Sequence, residues 1–458
     1  MSAQSPAVTG PPPVSYDIPP RGVWWHVYPL GFLGAERTSA EVEGVIHRLP
    51  KLVEWLDYSV ALGVEGWVLG PVFASGSHGY DTEDHYRVDP RLGDEDDLRV
   101  LVEAAHERGL RVVLDGVFNH VGRGFPRFQE AELGGHESTA AQWFRFRQGP
   151  DGGWYPDAFE GNDPLVVLNH DNPEVVDYVA DVMSHWQDLG VDGWRLDAAY
   201  AAPTPFWRAV TDRVRARHPQ GWIFGEVIHG DYPAFVAESG VDAVTQYELW
   251  KAIPSSLNDG NFFELAHALG RNLQFLDHFV PVTFLGNHDT SRVVSALNDS
   301  QLLPQAVAVL FTVGGTPTVY AGDEQGYAGV KYEREGGDDE VRPPMPTHPE
   351  QFSTLGADTY RLYRELIAMR RERPWLVSGR TDVTHLTNTA MVLVTRPAGA
   401  DGEASGGPAV ALALNIGPDE VRVPRPAGAW SPLLGADVPL DEDGLTVPGR
   451  GWALLALG

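Results

Sequence analysis

The chain has 458 residues, with 34 Lys or Arg against 63 Asp or Glu, a net charge of −29. Such a charge repels phosphate backbones and anionic lipid surfaces, which argues against nucleic-acid or membrane partners and suits a neutral substrate. There is no cysteine, which excludes disulfides, thiolate catalysis and thiolate metal sites, while 43% hydrophobic residues with 14 Trp and 15 Tyr suffice for a sizeable core.

Length alone suggests about two to four domains. Residues 1–20 are rich in Pro and Ser, without a basic segment leading into an apolar one. They read as a disordered tail rather than a signal peptide, so a cytoplasmic location is expected. No apolar run reaches the length of a membrane helix. From residue 23 short apolar runs alternate with amphipathic stretches. Residues 23–28 are β-rich. A helical period over 52–62 stops at Gly63, and 66–69 reads as a buried strand. Helix 98–108 closes at Gly109 and feeds strand 111–114. Helix 175–189 closes at Gly190 and feeds strand 193–196, and helix 206–217 feeds strand 222–224. Strand-like runs at 241–245, 280–285 and 316–320 complete eight β-then-α units. That rhythm, over this length, predicts an α/β fold, a closed (β/α)8 TIM barrel.

Two stretches break the rhythm. Residues 121–170 are long and polar without a clear helix–strand unit, and predict a loop subdomain inserted after the third strand. After a helix at 359–373, short β-rich pieces at 391–395, 409–414 and 452–456, separated by Gly, Pro and Asp, predict a C-terminal antiparallel β-domain. The expected boundaries are a tail at 1–20, a barrel at 21–120 and 171–377, the insertion at 121–170 and the β-domain at 378–458. The Gly- and Ala-rich segment 398–408 reads as a mobile hairpin tip.

Active sites of such barrels lie at the C-terminal ends of the strands. Asp115, Asn119 and His120 close the third strand in DGVFNH. Arg195 and Asp197 close the fourth in GWRLDAAY, Glu226 the fifth in IFGEV, and His288 and Asp289 the seventh in FLGNHD. A single Asp at a strand end is usually a cap or an ion-pair member, but four charged strand ends meeting at one mouth are costly unless paired or functional. Cleavage of a glycosidic bond needs this arrangement: one carboxylate to attack the anomeric carbon and one carboxylic acid to protonate the leaving oxygen. A further carboxylate stabilises the positive transition state. Arg195 lies two residues before Asp197, so both side chains share a face. Its cation is expected to keep Asp197 ionised, while the Asp197 charge and burial keep the proton on Glu226. No H-E-x-x-H spacing is present, so metal hydrolysis is a poor competitor. Trp24 and Trp25 read as core, and 93–97 as a solvated helix start with an Asp cap. Tyr247 and Trp250, after the sixth strand, read equally as leaving-group subsite or as packing.

These four segments, in this order, resemble the conserved regions of the α-amylase family, glycoside hydrolase family 13. GYDTEDHYRVDPRLG and GTPTVYAGDEQG resemble the family's segments at the second and eighth strands, so that the likeness covers roughly residues 23–375. The resemblance implies Asp197 as nucleophile, Glu226 as acid/base and Asp289 as transition-state stabiliser. It also implies sugar contacts from Arg195, His120 and His288, stacking by Tyr80, and an Asp338–Arg342 pair at the non-reducing end. Asp115 would be structural. Asn119 matches a position that ligates calcium in many relatives, yet no metal or other cofactor is expected in this chain. VLNHDNPEVV and GEVIHGD resemble the cyclomaltodextrinase and neopullulanase branch, which implies α-1,4-glucosidic bonds of linear or cyclic oligosaccharides as substrate, cyclic maltosyl-(1→6)-maltose included. That branch carries an N-terminal β-domain that builds its dimer, whereas about twenty residues precede the barrel in this sequence, so both monomer and homodimer stay open. The alternatives are a transglycosylase or isomerase acting on sucrose or trehalose, and a non-catalytic relative. The last is disfavoured because all three carboxylate positions are acidic.

Overall fold

The computed structural model describes residues 20, 22–334, 336–399, 407–436, 438–441 and 444–457. Residues 1–19, where a tail is expected, and 400–406, within the expected hairpin tip, lie outside the described residues. Eight parallel strands form one sheet: β1 (Trp24–Val27), β2 (Gly66–Leu69), β3 (Arg111–Gly116), β4 (Gly193–Leu196), β5 (Trp222–Gly225), β6 (Ala243–Val244), β7 (Val282–Thr283) and β8 (Thr316–Tyr320). Their spatial order is β6-β5-β4-β3-β2-β1-β8-β7. A parallel bridge between Thr245 and Val282 joins the two ends, and Gln246 N donates to Val282 O at 2.8 Å. The expected (β/α)8 barrel is therefore present, with β6 and β7 shorter than the apolar runs suggest.

Helices cover the outside: α1 (Leu56–Leu62), α2 (Glu95–Glu107), α3 (Pro173–Leu189), α4 (Thr204–Arg217), α5 (Tyr232–Ser239), α6 (Tyr247–Asn258), α7 (Phe263–Leu276), α8 (Leu303–Thr312) and α9 (Ala357–Arg371). Their ends follow local chemistry. Asp94 caps α2 in a reciprocal capping box with Asp97. Asn172 caps α3, whose first residue is Pro173. Among the described residues no helix is long and apolar enough to cross a membrane.

Period-two alternation sends Trp24 and Trp25 to opposite faces of the sheet. Trp24 lies inside the barrel, 4.9 Å from the Trp222 ring, and Trp25 packs outward on Trp55 and Phe32. Two glycines make room for the inner pair. A Cβ on Gly66 would fall 2.7 Å from the Trp24 ring, and one on Gly193 would fall 2.0 Å from the Trp222 carbonyl oxygen. Bulky rings thus plug the N-terminal end of the barrel, and polar side chains are left to the opposite end.

The segment after β3 holds two short antiparallel pairs, His120–Gly122 with Leu165–Val167 and Phe146–Gln148 with Trp154–Pro156. It also holds a helix at Pro126–Gly134 that the polar sequence hides. Only Phe128 and Ala131 of that helix are buried, so its apolar stripe is too thin to read as a period. The C-terminal part is an antiparallel sheet of β9 (Arg380–Leu386), β10 (Ala390–Arg396), β11 (Ala409–Asn415), β12 (Trp430–Gly435) and β13 (Trp452–Leu457), in the order β9-β10-β11-β13-β12. A two-stranded pair, Val421–Pro424 with Gly444–Val447, packs on it, with Val392, Val394, Ala411, Val423 and Leu445 in a separate core.

Candidate active site

The C-terminal ends of the strands gather around one guanidinium. Arg195, on β4, is almost wholly buried. Its Nη1 donates to both carboxylate oxygens of Asp115, at 2.6 Å each, and lies 3.2 Å from Asp197 Oδ1. Its Nη2 lies 3.0 Å from Glu226 Oε1. Main-chain bonds set these residues at matching heights: Asp197 N donates to Gly116 O, and Glu226 N to Leu196 O. Ala198, next after Asp197, is left-handed at φ 43° and ψ 38°, a conformation rare for a residue with a Cβ and typical of functional turns. It aims its amide at Glu226 Oε2, 3.2 Å away.

Asp289 completes the cluster from the loop after β7. His288 Nε2 is 2.8 Å from Asp289 Oδ2, and Arg342 Nη2 is 2.8 Å from Oδ1. Arg342 Nη2 is also 3.1 Å from Asp338 Oδ2, so the Asp338–Arg342 pair forms and is tied to Asp289. Tyr80 Oη donates to Asp115 Oδ2 at 3.1 Å and contacts His288 Nε2. His120 Nε2 faces the Tyr80 carbonyl at 3.0 Å, its Nδ1 faces Asn119 Nδ2 at 3.2 Å, and its ring stacks on Phe159 at 4.7 Å. Both nitrogens of His120 are thus committed within the protein. His120, His288 and Arg195 are all buried.

Burial decides the electrostatics. It raises the Asp197 carboxyl well above the ordinary range; Arg195 opposes this, and Glu226, Asp115 and Asp289 reinforce it. Arg195 favours the ionised form of Asp197, as its place on the strand implies, while burial and the neighbouring carboxylates act against it. The guanidinium is divided among three carboxylates, and its shortest bonds go to Asp115. Asp115 is likewise raised by burial, against Arg195. Asp289 moves the other way: burial would raise it, but His288, Arg342 and Arg195 hold it well below the usual range. Burial holds His120 down at about 3, so it stays neutral.

Some contacts escape sequence reasoning. Tyr247 Oη donates to Glu226 Oε1 at 2.8 Å, and Asn287 Nδ2 donates to Tyr247 Oη at 2.9 Å. Tyr247 thus touches Glu226 while its ring packs on Trp250 and Phe284. Tyr200, in GWRLDAAY, donates to Glu160 Oε1 at 2.7 Å. Glu160 is left-handed at φ 50° and follows Phe159, so one short turn of the insertion touches both His120 and Tyr200. Asn119 Oδ1 is buried without a hydrogen-bond partner, as an oxygen ligand of calcium could be. Yet the His/Asp/Glu trio close enough to share an ion among the described residues is His47, Asp94 and Asp97, at the start of α2.

Residues 27–379 match a family model described as alpha amylase, catalytic domain. A cyclomaltodextrinase from Bacillus sp is 36% identical over 295 residues, which cover 61% of this chain and 52% of that protein. A maltogenic alpha-amylase from Bacillus acidopullulyticus is 30% identical over 387 residues, 78% of this chain and 63% of that protein. The chain thus spans about half to two thirds of the length of these curated relatives. The solved cyclic α-maltosyl-(1→6)-maltose hydrolase from Arthrobacter globiformis superposes with a TM-score of 0.78 at 26% identity, covering 95% of this chain and 98% of that one.

Proposed function

The chain belongs to the α-amylase family, and on that premise we propose that it is a retaining glycoside hydrolase cleaving α-1,4-glucosidic bonds of maltooligosaccharides or cyclic glucans. One observation carries the reading: carboxylates from the ends of β3, β4 and β5 converge on Arg195, with Asp289 facing them from β7. In this reading Asp197 attacks the anomeric carbon while Glu226 protonates the departing oxygen. Water then releases the covalent sugar with Glu226 as base. Asp289, kept charged by His288 and Arg342, stabilises the positive transition state. Asp115 holds Arg195 in place beneath the reacting carboxylates. A cyclic glucan is favoured as substrate by the names of two relatives, the cyclomaltodextrinase and the cyclic maltosyl-maltose hydrolase. The latter also matches along nearly its whole length.

The test is a panel of starch, linear maltooligosaccharides, cyclodextrins and cyclic maltosyl-(1→6)-maltose, with products followed by rapid NMR. The expected result is opening of a cyclic sugar with the new reducing end in the α-configuration. Asp197→Asn should lose at least ~10⁴-fold in kcat while keeping its fold by circular dichroism. A β-anomeric product would refute the nucleophile assignment. Turnover of sucrose or trehalose alone would replace the substrate class with that of a transglycosylase or isomerase.

A further inference from the structure

Glu226, as the acid/base of the proposed reaction, has two oxygens and one proton to place. Oε1 lies 3.0 Å from Arg195 Nη2 and 2.8 Å from Tyr247 Oη. That guanidinium nitrogen makes no hydrogen bond to Oε1, so it disfavours a proton there by its charge alone. The direction of the Tyr247 bond is set further out. Asp289 N donates to Asn287 Oδ1 at 2.9 Å. A main-chain amide can only donate, so the Asn287 carboxamide is oriented with Nδ2 toward Tyr247, 2.9 Å from Oη. The phenol oxygen accepts there, and its single hydrogen is left to point at Glu226 Oε1. Burial, with the Glu226 and Asp289 charges nearby, pushes the Tyr247 hydroxyl well above its usual range, so it stays a donor.

We propose that Asn287 and Tyr247 together allocate the catalytic proton, reserving Glu226 Oε1 as an acceptor so that the proton is carried on Oε2. The partner of Oε2 is the Ala198 amide at 3.2 Å, a longer and weaker bond. In the first step the Oε2 proton passes to the glycosidic oxygen as its bond to the anomeric carbon breaks and the Asp197 carboxylate bonds to that carbon. In the second, water gives a proton to Oε2 as its oxygen displaces Asp197. Without the Tyr247 donor, one of the two constraints on Oε1 is gone, and part of the population carries the proton on the oxygen turned toward Arg195. Tyr247 acts through Glu226 and is a positioning residue. Asn287, which neighbours His288 and Asp289, links the acid/base of β5 to the stabiliser of β7.

The inference rests on the acid/base role of Glu226 and is tested so that the two can fail separately. Tyr247→Phe keeps the ring and removes the donor. On maltotriose or a cyclodextrin its kcat should fall about 10- to 30-fold, a fraction of a full acid/base contribution, with KM within about twofold. With α-maltosyl fluoride, whose leaving group needs no proton, and azide, an acceptor that needs no base, formation of maltosyl azide should stay within about threefold of the parent rate. Glu226→Gln should show the same pattern in stronger form. An equal loss on both substrates, or an unchanged rate on maltotriose, overturns the role of Tyr247. If Tyr247→Phe melts far below the parent, Asn287→Ser, which leaves the phenol in place and its orientation unset, should show the same selective loss. Its absence likewise overturns the proposal. Full turnover of maltotriose by Glu226→Gln overturns the acid/base assignment and the inference with it.

Discussion

Replacing Asp115 with Asn should move the acid limb of the rate–pH profile to lower pH. Asp115 and Asp197 each bond the same Arg195 nitrogen, at 2.6 and 3.2 Å. Their oxygens are therefore no more than about 6 Å apart, and at an effective dielectric of ~20 two such charges repel by about 3 kcal/mol, or ~2 pH units. Burial raises Asp115 as well, so a shift of about 1–2 units is expected. Asn keeps a carbonyl oxygen for Nη1, and Arg195 keeps Asp197 and Glu226 as partners. A nucleophile raised by a neighbouring negative charge ionises at lower pH once that charge is removed, which fixes the direction of the shift. The assay is kcat/KM between pH 3.5 and 8, with circular dichroism at each end. An acid limb that stays put or rises, in a folded variant, would refute the role of charge repulsion in raising Asp197.

Stability should fall on acidification before most carboxylates titrate. Burial holds His85 and His170 at about 4 and His120 at about 3, whereas each returns to about 6.5 in the unfolded chain. Below that value the unfolded chain binds protons that the folded chain refuses, so stability is full above about pH 6.5. It drops by roughly 1.4 kcal/mol per pH unit for each histidine as pH falls. Denaturant melts from pH 5 to 8 should show this slope, and His170→Gln should lessen it by one such increment; an unaltered slope contradicts a neutral buried His170. Separately, Tyr200→Phe releases the tether from the β4 loop to Glu160 and should raise KM roughly threefold to tenfold with kcat nearly constant, as expected for a partly exposed hydrogen bond to a charge. Loss in kcat alone would show that the turn at Glu160 does not line the substrate.

The parts of the fold that read directly were those decided by local pattern. β8 has the bounds its apolar run predicts, and α2 begins at the Asp cap its acidic start announces. β6 and β7 did not, because their apolar runs continue past the two residues that pair; where a strand stops is decided by its neighbour across the barrel. The helix at Pro126–Gly134 was hidden by its thin apolar stripe, although Pro126 and Gly135 mark its ends. Within the site, Asp197, Glu226 and Asp289 stood out because a charge closing an apolar strand calls for an explanation. The division of Arg195 among three carboxylates was illegible, since it depends on the distance between β3, β4 and β5. Tyr247 was ambiguous for the same reason: its role lies in a bond to another strand end, and an aromatic residue opening a helix looks identical whether it packs or donates.

The barrel closes through strands of two residues each, joined by the Thr245–Val282 bridge and one bond from Gln246. Tyr247 stands on one side of that seam and Asn287 on the other, so the hydrogen bond between them is also a stitch across the narrowest join in the hoop. Loosening there separates Asn287 from Tyr247 without exposing the tryptophans packed at the far end. Heating should therefore lower turnover, by misdirecting the Glu226 proton, several degrees before far-UV circular dichroism reports unfolding. The same short seam thus carries both the proposed placement of the reaction's proton and the closure of the barrel.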